Sequence, residues 1–127
     1  MTRDGHAYLS RIANDGRDVR HFGEKIRDVT THPQFRNSVA SYAELYDFQC
    51  CQENLERTTF ESPDSGDRVN RAWFCPRSYE ELITRREAMV SWNELHYGFL
   101  GRSPDHVAST LAGFYMGLDT FENYDSV

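Results

Sequence analysis

The sequence predicts a mainly α-helical fold carrying one or two short β-hairpins. Apolar residues recur at steps of three and four along several stretches, which places them on one face of a helix. Helix-start signals stand ahead of three of those stretches: Thr31-His32-Pro33, the Ser78 to Glu81 pair, and Ser103-Pro104-Asp105. Between the helical stretches lie β-prone segments broken by turn residues around Gly23 and Gly66.

The first periodic stretch runs roughly from His6 to Asn14, with Tyr8, Leu9 and Ile12 on one face, and Asn14-Asp15-Gly16 supplies the turn that ends it. Val19 to Phe22 and Lys25 to Val29 then flank Gly23-Glu24. A glycine first in a two-residue loop predicts a type II′ hairpin there. Thr31 is expected to cap a helix with Pro33 in its first turn. Phe35, Val39, Tyr42, Leu45 and Tyr46 carry that helix to about Gln49. Thr58 to Ser62 reads as a strand, Pro63-Asp64-Ser65-Gly66 as a turn, and Arg68 to Cys75 as the returning strand. The capping box Ser78…Glu81 opens a helix with Leu82, Met89 and Trp92 on one face, widened by Ile83, Val90 and Leu95. Gly98 and Gly101 interrupt it. Ser103 as N-cap, Pro104 and Asp105 then start a last helix along Val107, Leu111, Phe114, Tyr115 and Leu118.

The chain has 127 residues, 39% of them apolar and 13% aromatic, which suits one domain with a core of few, large side chains. No internal boundary stands out, so residues 1–127 are expected to form a single domain. The net charge of −6, with Lys25 the one lysine and the arginines scattered, argues against nucleic acid, whose backbone requires clustered cations. Cys50, Cys51 and Cys75 are odd in number, and no C-x-x-C pair is present. They read as thiols of a reducing cytoplasm. No charged-then-apolar leader opens the sequence, and no apolar run approaches the roughly 18 residues of a membrane span. The five histidines show no ligand spacing, so no metal is expected. Cys75 reads as a structural thiol, Tyr8, Tyr42 and Tyr46 as helix core, and Arg85-Arg86 either as a solvated pair or as support behind a pocket.

Gly98 to His106 is the segment that carries chemistry. A helix N-terminus offers unbonded N–H groups and partial positive charge. Arg102 sits just outside that terminus and His106 in its first turn, so both can face one anionic or polar oxygen. A phenol held there as a partial phenolate becomes reactive toward an electrophilic oxygen. Arg102 and His106 are the candidate catalytic residues, and Arg102, Ser103 and His106 the candidate substrate-binding set. The same string also fits a capped helix with a surface arginine.

Several segments share one order and spacing: Asp15-Gly16-Arg17, Gly23 to Ile26, Asp28 to Pro33 with Phe35-Arg36-Asn37, Leu45-Tyr46-Asp47, Ser62 to Gly66, Arg85-Arg86, and Gly101 to Ala108. In that arrangement the chain, from about Gly5 to Phe121, resembles the N-terminal region of the 4-hydroxyphenylacetate 3-hydroxylase family. The resemblance implies the helical N-terminal domain of an acyl-CoA-dehydrogenase-like flavin monooxygenase, with a β-barrel and a helical bundle completing the oxygenase. It implies reduced FAD from a separate reductase, and a flavin hydroperoxide that delivers oxygen ortho to a phenol hydroxyl. The motif arginine that contacts the phenolic oxygen falls on Arg102, and His106 stands where hydroxyphenylacetate hydroxylases carry tyrosine. The barrel and bundle lie beyond these residues, so this chain alone is not expected to hold flavin tightly, and its cofactor-binding residues are unknown. Expected partners are a phenolic small molecule, a flavin reductase and a second polypeptide carrying the barrel and bundle, with an oligomer also expected and no nucleic acid or membrane. The alternative is a non-catalytic small-molecule-binding or interaction module, or a truncated relic without activity.

Overall fold

The computed structural model describes residues 3–100 and 103–122. Its backbone contacts group into two compact units, one up to Leu55 and one from Glu56 onward. The fold is mainly helical with two antiparallel strand pairs, as the sequence predicts.

In the first unit α1 (Gly5–Ala13) opens on Asp4, whose carboxylate accepts the Ala7 N–H at 2.7 Å. It packs on α2 (Arg36–Cys50) through a glycine. A Cβ on Gly5 would lie 2.6 Å from both the Ala43 carbonyl oxygen and an Asp47 carboxylate oxygen. That closeness lets the Gly5 N–H donate to Asp47 Oδ1 at 2.8 Å, satisfying an N–H that the helix itself leaves open. Tyr8 stacks on Tyr46 with ring centroids 4.9 Å apart and tilts against Tyr42 at 6.4 Å, so the three tyrosines form an aromatic seam between the helices. Leu45 on α2 is fully buried, 1% exposed.

Two sequence expectations shift here. The hairpin β1 (Val19–His21) and β2 (Glu24–Ile26) pairs His21 with Glu24, so its loop is Phe22-Gly23 rather than Gly23-Glu24. Both loop residues have positive φ, 49° and 85°, the pattern of a type I′ turn rather than II′. The exposed Phe22 accepts left-handed backbone and rests its ring on His21, 4.4 Å away. The second shift is the start of α2 at Arg36, well after Thr31. Asp28 takes over the local hydrogen bonding: its carboxylate accepts the Thr30 N–H at 2.8 Å and the Thr30 hydroxyl at 2.7 Å. The Thr31 hydroxyl donates to the Asp28 carbonyl instead of capping a helix.

The short helix α3 (Gln52–Thr58), which no periodicity announces, leads from the first unit into the second. There β3 (Thr59–Glu61) pairs with β4 (Arg68–Asn70), Phe60 opposite Val69, around a turn closed by Ser62 N–H to Asp67 C=O and Gly66 N–H to Ser62 C=O, both 2.8 Å. The returning strand stops at Asn70, short of the expected Cys75. The Asn70 side chain accepts the Ala72 N–H at 2.7 Å and starts a 3₁₀ turn, Arg71–Trp73. Arg71 folds back from that turn and donates to the carbonyls of Glu56, Arg57 and Thr59 at 2.6–2.9 Å. It thereby closes the C-terminal end of α3 with a cation. Arg68 pairs with Glu56 and also donates to Thr59 Oγ1, and Thr58 and Thr59 are fully buried beneath.

Helix α4 (Tyr79–Leu95) starts on Ser78, which accepts the Glu81 N–H, while Glu81 reaches the Arg77 N–H at 2.6 Å, one residue before the cap. Its buried face is Ala88, Ser91 and Trp92, with Leu82 and Val90 turned outward. The helix ends on Tyr97, at φ 53°, whose follower Gly98 donates to the Asn93 carbonyl at 2.9 Å. Helix α5 (Pro104–Met116) packs on the 3₁₀ turn. It stops at Gly117, so Leu118 opens a separate short helix, α6 (Leu118–Glu122). The buried residues of α5 are Asp105, Ala108 and Ala112; Val107, Leu111, Phe114 and Tyr115, which the periodicity marked as its apolar face, are exposed. Small side chains allow a close approach to the 3₁₀ turn, and the bulky ones are left outside.

Candidate functional site

The N-terminus of α5 carries the candidate site. Ser103, Pro104 and Asp105 start the helix as the sequence predicts, but the Ser103 hydroxyl makes no capping bond to an α5 N–H. It hydrogen-bonds Asp105 Oδ1 in a very short contact. The side chain of Asp105 turns inward and is 8% exposed, whereas His106 is exposed. One turn of helix thus holds a buried acid that organises the cap and an open imidazole next to it. The His106 N–H bonds the Ser103 carbonyl at 3.0 Å, and the Thr110 hydroxyl donates to the His106 carbonyl at 3.0 Å, so the backbone bearing the imidazole is held at both groups. Arg102 lies outside the described residues. Of the three candidate residues, Ser103 and His106 are placed at the same helix end.

Sequence reasoning did not single out the buried role of Asp105, and it left Arg85-Arg86 open. The structure divides that pair: Arg86 is exposed, while Arg85 is half-buried and donates to the Ala72 carbonyl at 2.9 Å, tying α4 to the 3₁₀ turn. Burial pushes the Arg85 guanidinium down from its ordinary range, and the charges of Cys75 and Asp105 pull it back up. Arg85 feels the field of Asp105, but no hydrogen bond or ion pair joins the two side chains. Its Nε is buried without a hydrogen-bond partner among the described residues, as are Trp92 Nε1 and His96 Nε2 on the same helix face. The signal was present in the spacing, because position 85 lies three and seven residues before the buried Ala88 and Trp92.

Across the helix gap, the Ser109 hydroxyl meets Met89 Sδ at 3.8 Å, joining α5 to α4 below the site. The Cys75 thiol points at the Trp73 carbonyl, 3.8 Å away. Among the described residues no group of three or more His, Cys, Asp or Glu side chains comes together as a metal site. Two clefts among the described residues are too small for a flavin dinucleotide. The larger, about 330 Å³, is near the lower bound of small-molecule sites, and the other is smaller still.

Against this geometry, a sequence model described as "4-hydroxyphenylacetate 3-hydroxylase N terminal" matches residues 4–127. The chain belongs to the 4-hydroxyphenylacetate 3-hydroxylase family. A relative from Geobacillus sp. (strain PA-9), the oxygenase component of 4-hydroxyphenylacetate 3-monooxygenase, is 37% identical over 123 residues, 97% of this chain and 24% of that protein. The oxygenase component of a Rhodococcus 4-nitrophenol 2-monooxygenase is 39% identical over 123 residues, 94% of this chain and 23% of its own length. A solved oxygenase component of 4-hydroxyphenylacetate 3-monooxygenase, complexed with FAD and 4-hydroxyphenylacetate, superposes with a TM-score of 0.86 at 31% identity, covering 96% of this chain and 27% of that one. The family's oxygenases are flavin-dependent components of two-component monooxygenases, and this chain matches their N-terminal region. It spans about a quarter of the length of these relatives. No helix among the described residues is long and apolar enough to cross a membrane.

Proposed function

We propose that this chain is the substrate-side N-terminal domain of a phenol ortho-hydroxylase, with residues 1–127 acting as one functional domain. The observation that carries this reading is the split at the start of α5, where Asp105 is buried and His106 is exposed. The Asp105 carboxyl, bonded by the Ser103 hydroxyl, is turned inward at the helix end and leaves the imidazole as the open side chain, so His106, together with Arg102, is assigned to the ligand. Arg102 holds the phenolic oxygen and draws it toward phenolate, which raises electron density at the ring carbon beside it. His106 accepts or shares the phenolic proton. Ser103, committed to Asp105, keeps the turn in place and borders the ligand. Reduced FAD, delivered by a reductase and held by parts of the oxygenase outside this domain, supplies the oxygen chemistry. The three cysteine thiols suit a reducing cytoplasm.

The test uses the complete oxygenase with its reductase. Arg102→Ala should reduce hydroxylation of a simple phenol about a hundredfold or more, as expected when a donor to a developing oxyanion is removed. His106→Ala should cost less and flatten the pH–rate profile. Unchanged turnover and unchanged phenol affinity in the Arg102→Ala enzyme would remove the assignment.

A further inference from the structure

The first unit contains a cleft that the reading above does not use. It lies where the end of α1, the Asn14–Gly16 turn and the β1–β2 hairpin meet, and has a volume of about 330 Å³. Three segments separated in the sequence, Asp15-Gly16-Arg17, Lys25 to Arg27, and Val29, converge on it.

Its wall has two characters. Ile12, Val19 and Ile26 give it an apolar side, Val19 and Ile26 being opposite each other in the hairpin and Ile26 buried. Arg17, Lys25 and Arg27 line the rest, with Asp15 the one carboxylate among the lining residues. The excess is cationic, although the chain as a whole carries −6. Arg17 is drawn to Asp15 in a close ion pair, and the Arg17 N–H also binds Asp15 Oδ1 at 3.1 Å. Lys25 reaches Asp18 only at 3.9 Å, and Asp18 is shared with Arg20 at 3.1 Å. Arg27 has no hydrogen bond or ion pair among the described residues.

We propose that this cleft binds a small organic carboxylate, with the carboxylate against Arg27 and the apolar body against Ile12, Val19 and Ile26. Two features select this ligand class. A cation left without a partner beside an apolar wall matches an acid with a hydrophobic body better than a bare inorganic anion. The size of the cleft sets a limit near that of a single ring. The cations are exposed, so binding is weak and salt-sensitive.

The experiment is a titration of the ¹⁵N-labelled chain with sodium benzoate at constant ionic strength, followed by amide chemical shifts. Inorganic phosphate and benzyl alcohol are titrated separately. Benzoate should produce saturable shifts within Ile12–Val29 with a Kd of about 1 mM. Phosphate lacks the apolar body and benzyl alcohol lacks the charge, so each should bind at least about tenfold more weakly than benzoate. Arg27→Ala should weaken benzoate about three- to tenfold, and Arg27→Lys should restore most of it. Arg27 is exposed, and the unchanged amide pattern of α1 and α2 will show that the variant is folded. Absence of saturable shifts in this segment, phosphate binding it as tightly as benzoate, or equal affinity in Arg27→Ala would each overturn the proposal. Shifts confined to the surroundings of His106 would also overturn it while leaving the proposed phenol site intact.

Discussion

Helices α1 and α2 meet through Gly5, the Asp47 carboxylate and a stack of tyrosines, so Tyr42 and Tyr46 both face Tyr8. Helix α5 of the second unit turns Ala108 and Ala112 inward and leaves Val107, Leu111, Phe114 and Tyr115 exposed. Both helical regions bring a small residue to their closest contact. They differ in where the large ones go. The first unit stacks half-buried tyrosines across its helix pair, whereas the second unit sets small side chains of α5 inward and ties its 3₁₀ turn with arginine bonds, Arg85 to the Ala72 carbonyl and Arg71 to the carbonyls of Glu56, Arg57 and Thr59. The second unit is therefore held more by directed polar contacts, and the first by packing.

The largest expected effect tests the polar half of this contrast. Arg71→Leu removes three bonds to the carbonyls of Glu56, Arg57 and Thr59. It should lower stability by about 3 kcal/mol in urea unfolding, since charge-assisted bonds are worth more than neutral ones and their acceptors stay partly buried. A loss under about 0.5 kcal/mol, the size of an ordinary surface change, would mean that packing holds the second unit too.

Gly5→Ala tests the packing half. The added methyl would collide with the Ala43 carbonyl and the Asp47 carboxylate, so a loss of about 2 kcal/mol is expected in the same assay, despite the better helix propensity of alanine. A neutral or stabilising result would show that α1 can slide on α2.

A smaller effect concerns pH. Two bonds from Thr30 hold the Asp28 carboxyl below its ordinary value of 3.8. A carboxyl depressed in the fold adds stability above its unfolded pKa, and that stability is lost as pH falls through the folded value. Unfolding curves of the native chain and Asp28→Asn should differ above about pH 4 and converge toward pH 2. A gap that stays constant across that window would show that the hydrogen bonds, not the charge, matter.

The smallest effect on stability is expected on the outer face of α5. Leu111→Lys with Phe114→Glu should change the unfolding free energy of this chain by no more than about 0.5 kcal/mol in the same assay. A loss near that of Gly5→Ala would show that these side chains are packed after all.

Local chemistry explains which parts of the fold were legible. Ser78 with Glu81, and Ser103 with Pro104, mark helix starts because a cap acts within one turn, and the structure has helices at both. The order of the motifs identified the family, and it is the basis on which Arg102 and His106 are proposed as site residues. The failures were also local signals, each overruled by a neighbour. The Thr31 hydroxyl turns to the Asp28 carbonyl while His32 Nδ1 accepts the Gln34 N–H that a Thr31 cap would have bound, and Asn70 ended a strand that β-propensity alone would have continued.

The sequence by itself determined the helical class, the two strand pairs, the family and the position of the candidate helix end, because periodicity, capping and motif order are properties of neighbours along the chain. Only the tertiary structure decided that Gly5 is a contact point, that α5 faces inward with its alanines, and that Arg85 rather than Arg86 ties α4 to the 3₁₀ turn. Those choices depend on which surface another element covers, and a helical pattern records an apolar stripe without recording whether anything packs against it.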